Sequence, residues 1–272
     1  MPFNRRKKLG QVFLTDHAVI KKIIQEGGIS KKDQILEIGP GKGALTQALV
    51  GTGANVIAIE KDPELVQLLQ KKFKDQSNLK IIQADIRDFL RSDNRHTEYS
   101  IQNTEYKVIG NIPYYLTSRL LRLLLENSIK PALIILMVQK EVAQRIIAKP
   151  PKMNLLAASV QFYAKPKIIC YVSKTAFSPQ PKVDSAIIKI TPINADENTD
   201  ELLKKNFFKV VKAGFKQPRK LLINNLCANL KINKEIVSKA LEQLNIPLGA
   251  RAQNLSVEEW ICLSLLLKYN SV

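Results

Sequence analysis

The stretch "LEIGPGKGALT" (36–46) decides the fold of this 272-residue chain. An apolar run ends just before three glycines at positions 39, 41 and 43, and a helical pattern begins directly after them. Glycine accepts positive φ angles and allows a ligand to approach the backbone closely. Such a turn between a strand and a helix is typical of a nucleotide-binding loop. Because no Gly-Lys-Ser/Thr closes the loop, it is not a Walker A motif.

Strand-like and helix-like segments alternate on both sides of this loop. We predict strands at 33–39, 54–60, 79–85, 106–111 and 131–138, and helices at 44–51, 63–73 and 116–127. Short apolar strands that alternate with helices indicate an α/β fold with a parallel sheet covered on both faces. The segments 167–172 and 185–190 are interpreted as late strands, an antiparallel pair added at the sheet edge, and 91–105 as a polar loop.

A polar linker at 191–200 separates this part from a purely helical one. Helices are predicted at 201–214, 219–229, 233–244 and 256–268. Asn233 and Ser256 are candidate N-caps, and Glu259 completes a capping box with Ser256. The predicted domains are therefore a catalytic α/β domain at 1–192 and a small helical domain at 200–272.

Several classes of protein are excluded by composition. The longest apolar run, 132–138, is far shorter than the ~20 residues of a membrane span, and the basic N-terminus lacks the apolar region of a secretory signal. Three widely spaced cysteines without a C-x-x-C favour a reducing cytoplasm and argue against a zinc site. With two histidines, neither near a cysteine, a Ser-His-Asp or Cys-His active site is not expected.

The net charge of +18 indicates a polyanionic partner. A lysine-rich genome bias is the alternative, but it does not explain how the charges are segregated. No acid occurs from Arg145 to Lys182 or between Glu201 and Glu235, whereas acids cluster in the first half of the chain.

Two of those acids stand at the ends of predicted strands. Glu60 follows Gly39 by 21 residues, the spacing of a carboxylate that accepts hydrogen bonds from a ribose diol. Asp85 ends the next strand, where an acid accepts a hydrogen bond from an adenine amino group. Negative walls repel phosphate, so the pocket is predicted to bind a phosphate-free adenosine with a positive centre, S-adenosylmethionine. Each acid taken alone is also explained as a helix cap or a loop acid.

The stretch "NIPYY" (111–115) closes the fourth predicted strand at the same edge of the sheet. It resembles the Asn/Asp-Pro-Pro-Tyr/Phe motif of amino-methyltransferases. The Asn111 side-chain oxygen and the Ile112 carbonyl are expected to accept the hydrogens of an adenine amine, while Tyr114 stacks on the base. A base must be flipped out to reach such a pocket, and Phe177 is the candidate for the opposite wall. The alternative is an Asn-Pro turn with tyrosines in the core.

Several motifs in order resemble the ribosomal RNA adenine dimethyltransferases of the KsgA type. The matching segments are 7–14, 35–46, 56–62, 84–89, 111–118, 177–186, 214–226 and 251–260. The resemblance implies a Rossmann-like S-adenosylmethionine-dependent methyltransferase sheet followed by a helical domain. It implies dimethylation of two adjacent adenosines in a hairpin loop near the 3′ end of small-subunit rRNA. The implied catalytic residues are Asn111, Ile112, Pro113, Tyr114 and Phe177, and the implied cofactor contacts are Val12, Leu14, Gly39, Gly41, Glu60, Asp85 and Asn111.

Position 12 departs from the family pattern, which has asparagine or histidine there, so a contact through the Val12 backbone is expected.

The expected RNA contacts are Lys7, Lys8, Lys216, Arg219, Lys220 and Arg251. They are expected to lie against rRNA backbone in an assembly intermediate of the small subunit. The chain is expected to act as a cytoplasmic monomer, with no metal and no membrane partner. Two alternatives stay open: an Erm-like methyltransferase of large-subunit rRNA, and a non-catalytic RNA-binding relative.

Overall fold

The computed structural model describes residues 12–91, 105–112, 116–127, 129–193 and 201–268. The strands are β1 (Phe13–Leu14), β2 (Gln34–Ile38), β3 (Asn55–Glu60), β4 (Leu79–Gln83), β5 (Tyr106–Asn111), β6 (Leu133–Gln139), β7 (Ala164–Val172), β8 (Phe177–Ser178) and β9 (Ser185–Pro192). The helices are α1 (His17–Gly27), α2 (Ala44–Gly51), α3 (Pro63–Lys72), α4 (Ile86–Arg91), α5 (Thr117–Glu126), α6 (Lys140–Ile146), α7 (Leu155–Gln161), α8 (Glu201–Gly214), α9 (Leu222–Leu230), α10 (Lys234–Gln243) and α11 (Val257–Lys268).

Seven strands form one sheet in the order β4-β3-β2-β5-β6-β9-β7, and β1 pairs with β8 in a separate two-stranded sheet. The five strands from β4 to β6 run parallel, and β9 is antiparallel to β6. The predicted parallel sheet is therefore confirmed, as are the two late strands beside it.

The order of the strands places a crevice at one point of the sheet. From β2 the chain moves outward to β3 and β4, and it then returns to form β5 on the other side of β2. In open α/β sheets, ligands bind outside the carboxyl ends of the strands at such a switch point. The glycine loop follows β2 and Asn111 ends β5, so both lie at this point.

Strand β6 is buried over most of its length because its sequence is apolar up to Val138. Every residue from Ile134 to Val138 in β6 is at most 1% exposed. A run without polar alternation is typical of a strand covered on both faces. Helix α1 packs against β6, α2 against β3 and α3 against β4.

The chain divides into two compact units, residues 1–143 with 166–192 and residues 144–165 with 193–272. In the helical unit α8 packs against α9 and α11, and α10 packs against the same two helices. Its interior contains Trp260 and a stacked pair of rings, Phe162 and Phe207. Residues 144–165 lie with the helical unit, whereas the sequence pattern assigned them to the first domain. The predicted domain ranges 1–192 and 200–272 stay a prediction.

The predicted helix caps in the helical unit are confirmed, and one predicted helix start is corrected. Asn233 caps α10 by accepting from the Glu235 N–H at 2.9 Å, and Ser256 and Glu259 form the reciprocal bonds of a capping box. Helix α9 begins at Leu222 rather than at residue 219, because the preceding residues form turns. Most of the predicted loop at 91–105 and of the linker at 191–200 falls outside the described residues. No helix in the described ranges is long and apolar enough to cross a bilayer.

Gly110 sets how closely β5 approaches β2. A Cβ atom at this position would lie 2.6 Å from the Ile38 carbonyl oxygen, a backbone atom of the neighbouring strand. We expect Gly110→Ala to lower the free energy of unfolding by about 1–3 kcal/mol, since the strands must separate to accommodate a methyl group. Urea denaturation measures the change.

The matched control for that substitution is Gly51→Ala in α2, where a Cβ atom meets no atom within 4 Å. This change is expected to alter the free energy of unfolding by less than about 1 kcal/mol. Equal effects of the two substitutions would show that the close approach at Gly110 does not matter for stability.

Candidate functional site

A cleft opens at the switch point, with about 770 Å³ of empty space including the part open to solvent. It brings together most of the residues singled out in the sequence. Six of the seven predicted cofactor contacts line it: Val12, Leu14, Gly39, Gly41, Glu60 and Asn111. Asn111 and Ile112 of the predicted catalytic loop line it as well. The cleft therefore joins segments from β1, β2, β3 and β5.

The glycine loop needs its glycines for conformation and for space. Gly39 and Gly41 have φ angles of +68° and +58°, which L side chains rarely adopt. A Cβ atom on Gly41 would also lie 2.8 Å from the Phe13 ring. The N–H of Gly41 points to the end of β3 and donates to Glu60 Oε2 at 3.2 Å.

Glu60 is a buried carboxylate held by three backbone amides. Besides Gly41, the N–H groups of Lys61 and Asp62 donate to its Oε1 at 2.8 and 2.9 Å. Burial raises the pKa of Glu60 above its ordinary value, although the three amides oppose this effect. A carboxylate has about four acceptor positions, so roughly one remains for a ligand hydroxyl.

Glu37 is a site residue that the sequence analysis did not include among the cofactor contacts. It lines the cleft and is 1% exposed, and neither of its carboxylate oxygens finds a hydrogen-bond partner among the described residues. Burial raises the pKa of Glu37 to about 8. The nearby Thr46 hydroxyl opposes this rise, and the charge of Glu60 adds to it. A buried carboxylate without partners either holds a proton or receives a cation. An acid directly before the glycine loop was the available signal.

The apolar walls of the cleft were also not predicted. Phe13 and Leu65 line it, and the Lys42 ammonium group lies 4.9 Å from the centre of the Phe13 ring. These walls come from β1 and α3, so no single stretch of sequence indicates them. They give the cleft the apolar surface that a flat ring requires.

Asp85 lies at the expected edge of the sheet, but it does not line the cleft as the described residues outline it. Its Oδ1 accepts from the Arg87 N–H and Nε, and its Oδ2 accepts from Lys61 Nζ at 3.0 Å and from the Arg87 guanidinium. These partners, Arg87 above all, hold the pKa of Asp85 well below its ordinary value. Because four donors fill its acceptor positions, an adenine contact at Asp85 requires that one of them be given up.

Asn111 reaches the cleft from the end of β5. Its Nδ2 donates to the carbonyl oxygen of Val12 at 3.1 Å, so position 12 contacts Asn111 through its backbone. The expected contact of Val12 with the cofactor stays a prediction. Ile112 follows with a side chain that is 2% exposed. Pro113 and Tyr114, the rest of the predicted catalytic loop, lie outside the described residues.

Phe177 occupies a different place from the open wall predicted for it. Its side chain is 4% exposed and belongs to the same buried cluster as Leu14, with which it pairs between β8 and β1. Apolar packing of the two strands explains why the ring turns inward. Direct stacking of Phe177 on a substrate base stays a prediction.

The helical unit carries a second cleft, which is basic. Arg219, Lys220 and Arg251 line it, and all three side chains are exposed. Buried Asn225 ties the preceding turn to α9 by donating from Nδ2 to the Gln217 carbonyl at 2.9 Å. Lys216 is exposed but does not line this cleft, and Lys7 and Lys8 lie outside the described residues.

Within the described ranges, no three His, Cys, Asp or Glu side chains are grouped closely enough to hold a metal ion.

Comparison with known proteins gives consistent matches over the chain. A family model described as "Ribosomal RNA adenine dimethylase" matches residues 2–268. A curated protein of Dehalococcoides mccartyi named "Ribosomal RNA small subunit methyltransferase A" is 41% identical over 260 residues, with 95% of this chain and 87% of that protein covered. A protein of the same name from Bacillus licheniformis is 38% identical, with 96% and 91% covered.

Solved structures share the whole fold. A dimethyladenosine transferase from Plasmodium falciparum superimposes with a TM-score of 0.77 at 25% identity, covering 96% of this chain and 98% of that one. The 23S rRNA methyltransferase ErmE superimposes with a TM-score of 0.73 at 24% identity, covering 94% and 99%. The second likeness is one of fold alone.

The buried Glu37 has a consequence for stability that can be measured without any ligand. Its pKa is about 8 in the folded chain against an ordinary value of 4.5, so the folded state holds an extra proton between these pH values. The contribution of Glu37 to the free energy of unfolding should therefore fall by up to about 1.4 kcal/mol per pH unit from about pH 5 to 8. We expect Glu37→Gln to remove this slope in urea denaturation.

The control is Glu64→Gln, at an exposed position in the first turn of α3, which should keep the slope of the unmodified chain. An unchanged slope in Glu37→Gln would contradict the burial of an unpartnered carboxylate.

Proposed function

Because the chain belongs to the ribosomal RNA adenine dimethylase family, we propose that its switch-point cleft catalyses methyl transfer to adenosines of small-subunit rRNA. The methyl donor is S-adenosylmethionine, and the acceptors are the exocyclic amino nitrogens of two adjacent adenosines in the 3′-terminal hairpin loop. The observation that carries the proposal is the presence of Asn111 in the same cleft as two buried carboxylates.

The cleft suits an adenosine with a positive centre rather than a phosphorylated nucleotide. Glu60 has about one acceptor position left for a ribose hydroxyl, and unpartnered Glu37 favours a cationic group nearby. Leu14, Gly39 and Gly41 shape the wall against which the ligand lies. When bound, S-adenosylmethionine supplies an electrophilic methyl group on a positively charged sulfur.

The chain supplies acceptors for the target amine. In the first transfer the Asn111 Oδ1 and the Ile112 carbonyl accept the two hydrogens of the amine, which localises the nitrogen lone pair toward the methyl group. In the second transfer one of these acceptors takes the single hydrogen that remains. The amine loses its proton after the methyl group has arrived, so no strong base is required. Pro113 and Tyr114 complete the proposed loop, with the tyrosine stacked on the base.

The basic cleft of the helical unit supports binding to rRNA. Arg219, Lys220 and Arg251 converge there with no acid among the residues that line it. Guanidinium and ammonium groups in this arrangement bind phosphate without reading sequence. We propose that this surface, with Lys216, holds an assembly intermediate of the small subunit, and that the enzyme acts as a monomer in the cytoplasm.

The two other functions are less well supported. Curated relatives at 38–41% identity are named for the small subunit, whereas the likeness to ErmE concerns the fold. A non-catalytic RNA-binding protein does not need an amide at the end of β5 beside two buried acids. The intact glycine loop likewise favours an enzyme.

The test of the proposal is methyl transfer from labelled S-adenosylmethionine to undermethylated small subunits, with large subunits as the competing substrate. We expect labelling of the small subunit at two adjacent adenosines. Asn111→Ala should lower kcat by at least about 100-fold, because it removes an acceptor used in the transition state, and should change cofactor affinity by less than about threefold. Labelling of the large subunit, or equal losses of turnover and affinity, would contradict the proposal.

Phosphate binding by the basic cleft predicts a particular salt dependence. We expect Arg251→Ala to weaken RNA binding and to reduce the slope of log affinity against log salt concentration by about 1, because one phosphate contact is lost. A titration of small-subunit rRNA at several salt concentrations measures the slope. Lys239→Ala in α10, exposed but outside the cleft, is the control and should leave the slope unchanged. Identical slopes in both variants would exclude a phosphate contact at Arg251.

A further inference from the structure

The side chain of Asn111 is oriented by a backbone group from a distant part of the chain. A carboxamide has a donor at one end and an acceptor at the other. Its Nδ2 donates to the Val12 carbonyl oxygen at 3.1 Å. In the flipped orientation two oxygens would face each other with no proton between them, which is unfavourable. The Val12 carbonyl therefore determines which end of the carboxamide remains for a ligand, and that end is Oδ1.

The Val12 carbonyl is itself held in place by the pairing of two short strands. Leu14 pairs with Phe177, and Phe13 with Ser178, in the antiparallel sheet of β1 and β8. Leu14 and Phe177 are both buried in one apolar cluster. Directly after β1, the N–H and the Oγ1 of Thr15 both donate to the Ala176 carbonyl, at 2.9 and 3.0 Å. These contacts anchor the segment that carries Val12.

We propose that the β1–β8 strand pair is a positioning element for methyl transfer, in which the Val12 carbonyl fixes the Asn111 carboxamide with its oxygen directed to the target amine. The inference rests on the proposed function, which makes Asn111 Oδ1 an acceptor in the transition state. An acceptor that is already oriented does not lose rotational freedom when the substrate arrives, and misplacement of a positioned group is costly for rate.

This arrangement gives Phe177 a role that matches its burial. The ring does not need to touch the substrate base to affect turnover, because it packs with Leu14 and thereby supports β1. It also explains how valine serves at position 12, since the contact uses the main chain and not the side chain. Val12 and Phe177 are positioning residues in this account.

Graded substitutions at Thr15 test the proposal, because Thr15 anchors β1 without lining the cleft. Thr15→Pro removes both donors to Ala176, Thr15→Val removes the hydroxyl, and Thr15→Ser keeps both. We expect kcat to fall by about 100-fold for proline and by a few-fold for valine, and to return to within about twofold for serine. The KM for rRNA should change by less than about threefold throughout. Equal kcat values across the series would overturn the proposal.

The matched control is Thr175→Val. This threonine precedes Ala176, but its hydroxyl contacts Ser173 Oγ at 2.9 Å rather than β1. It undergoes the same chemical change as Thr15→Val, and kcat should stay at the level of the unmodified enzyme. A loss as large as that of Thr15→Val would show that the effect is a general one on the segment before β8.

A second measurement needs neither substrate nor turnover. The side-chain amide signals of Asn111 in the nitrogen-15 NMR spectrum are assigned by their loss in Asn111→Ala. We expect their hydrogen exchange to be at least about tenfold slower than that of an exposed asparagine, to become fast in Thr15→Pro, and to be intermediate in Thr15→Val. Fast exchange in the unmodified protein would overturn the positioning role.

The two hypotheses fail in different ways. If Asn111→Ala keeps its turnover, the proposed function fails, whatever the exchange rates are. If Asn111→Ala loses turnover while the Thr15 series and the exchange rates do not respond, the proposed function stands and the positioning role is wrong.

Discussion

The close parallel pairing of β2 with β5 is the constraint on which the rest of the structure depends. At its carboxyl end Ile38 pairs with Gly110, and the missing side chain of that glycine lets the two backbones meet. After β4 the chain returns across the sheet to form β5 beside β2, so the switch point of the sheet lies between β2 and β5. The glycine loop and Asn111 therefore open onto one cleft, and the proposed methyl transfer takes place there.

Charge is distributed between the two units in a way that suits an enzyme with a cationic cofactor and an anionic substrate. Glu60 is buried in the cleft of the first unit, where its carboxylate opposes phosphate and favours positive charge. A cation beside buried Glu37 favours loss of the proton that Glu37 otherwise holds. The second unit presents Arg219, Lys220 and Arg251 around an exposed cleft, where they favour phosphate. The net charge of +18 hides this division, because it sums an acidic pocket and a basic surface.

Prediction from the sequence succeeded where the signal is local and failed where it is not. Short apolar runs predicted the central strands, and residue type predicted the caps at Asn233 and Ser256. Strands β1 and β8 were not predicted, since two-residue strands have no period and their partners are far apart in sequence. The inward turn of Phe177 follows from the same pairing, because its ring packs in the cluster that contains Leu14.

The sequence by itself determined the α/β class, the position of the glycine loop and the residues from which the cleft is built, because these depend on short-range periodicity and on residue chemistry. Only the tertiary structure decided how those residues are engaged. Arg87 and Lys61 fill the acceptor positions of Asp85. Glu37 is buried without a hydrogen-bond partner among the described residues, and Asn111 donates to the Val12 carbonyl. The reason is that a side chain's partners, its burial and its proton affinity are set by groups that the fold brings from distant segments, and no local pattern encodes which groups arrive.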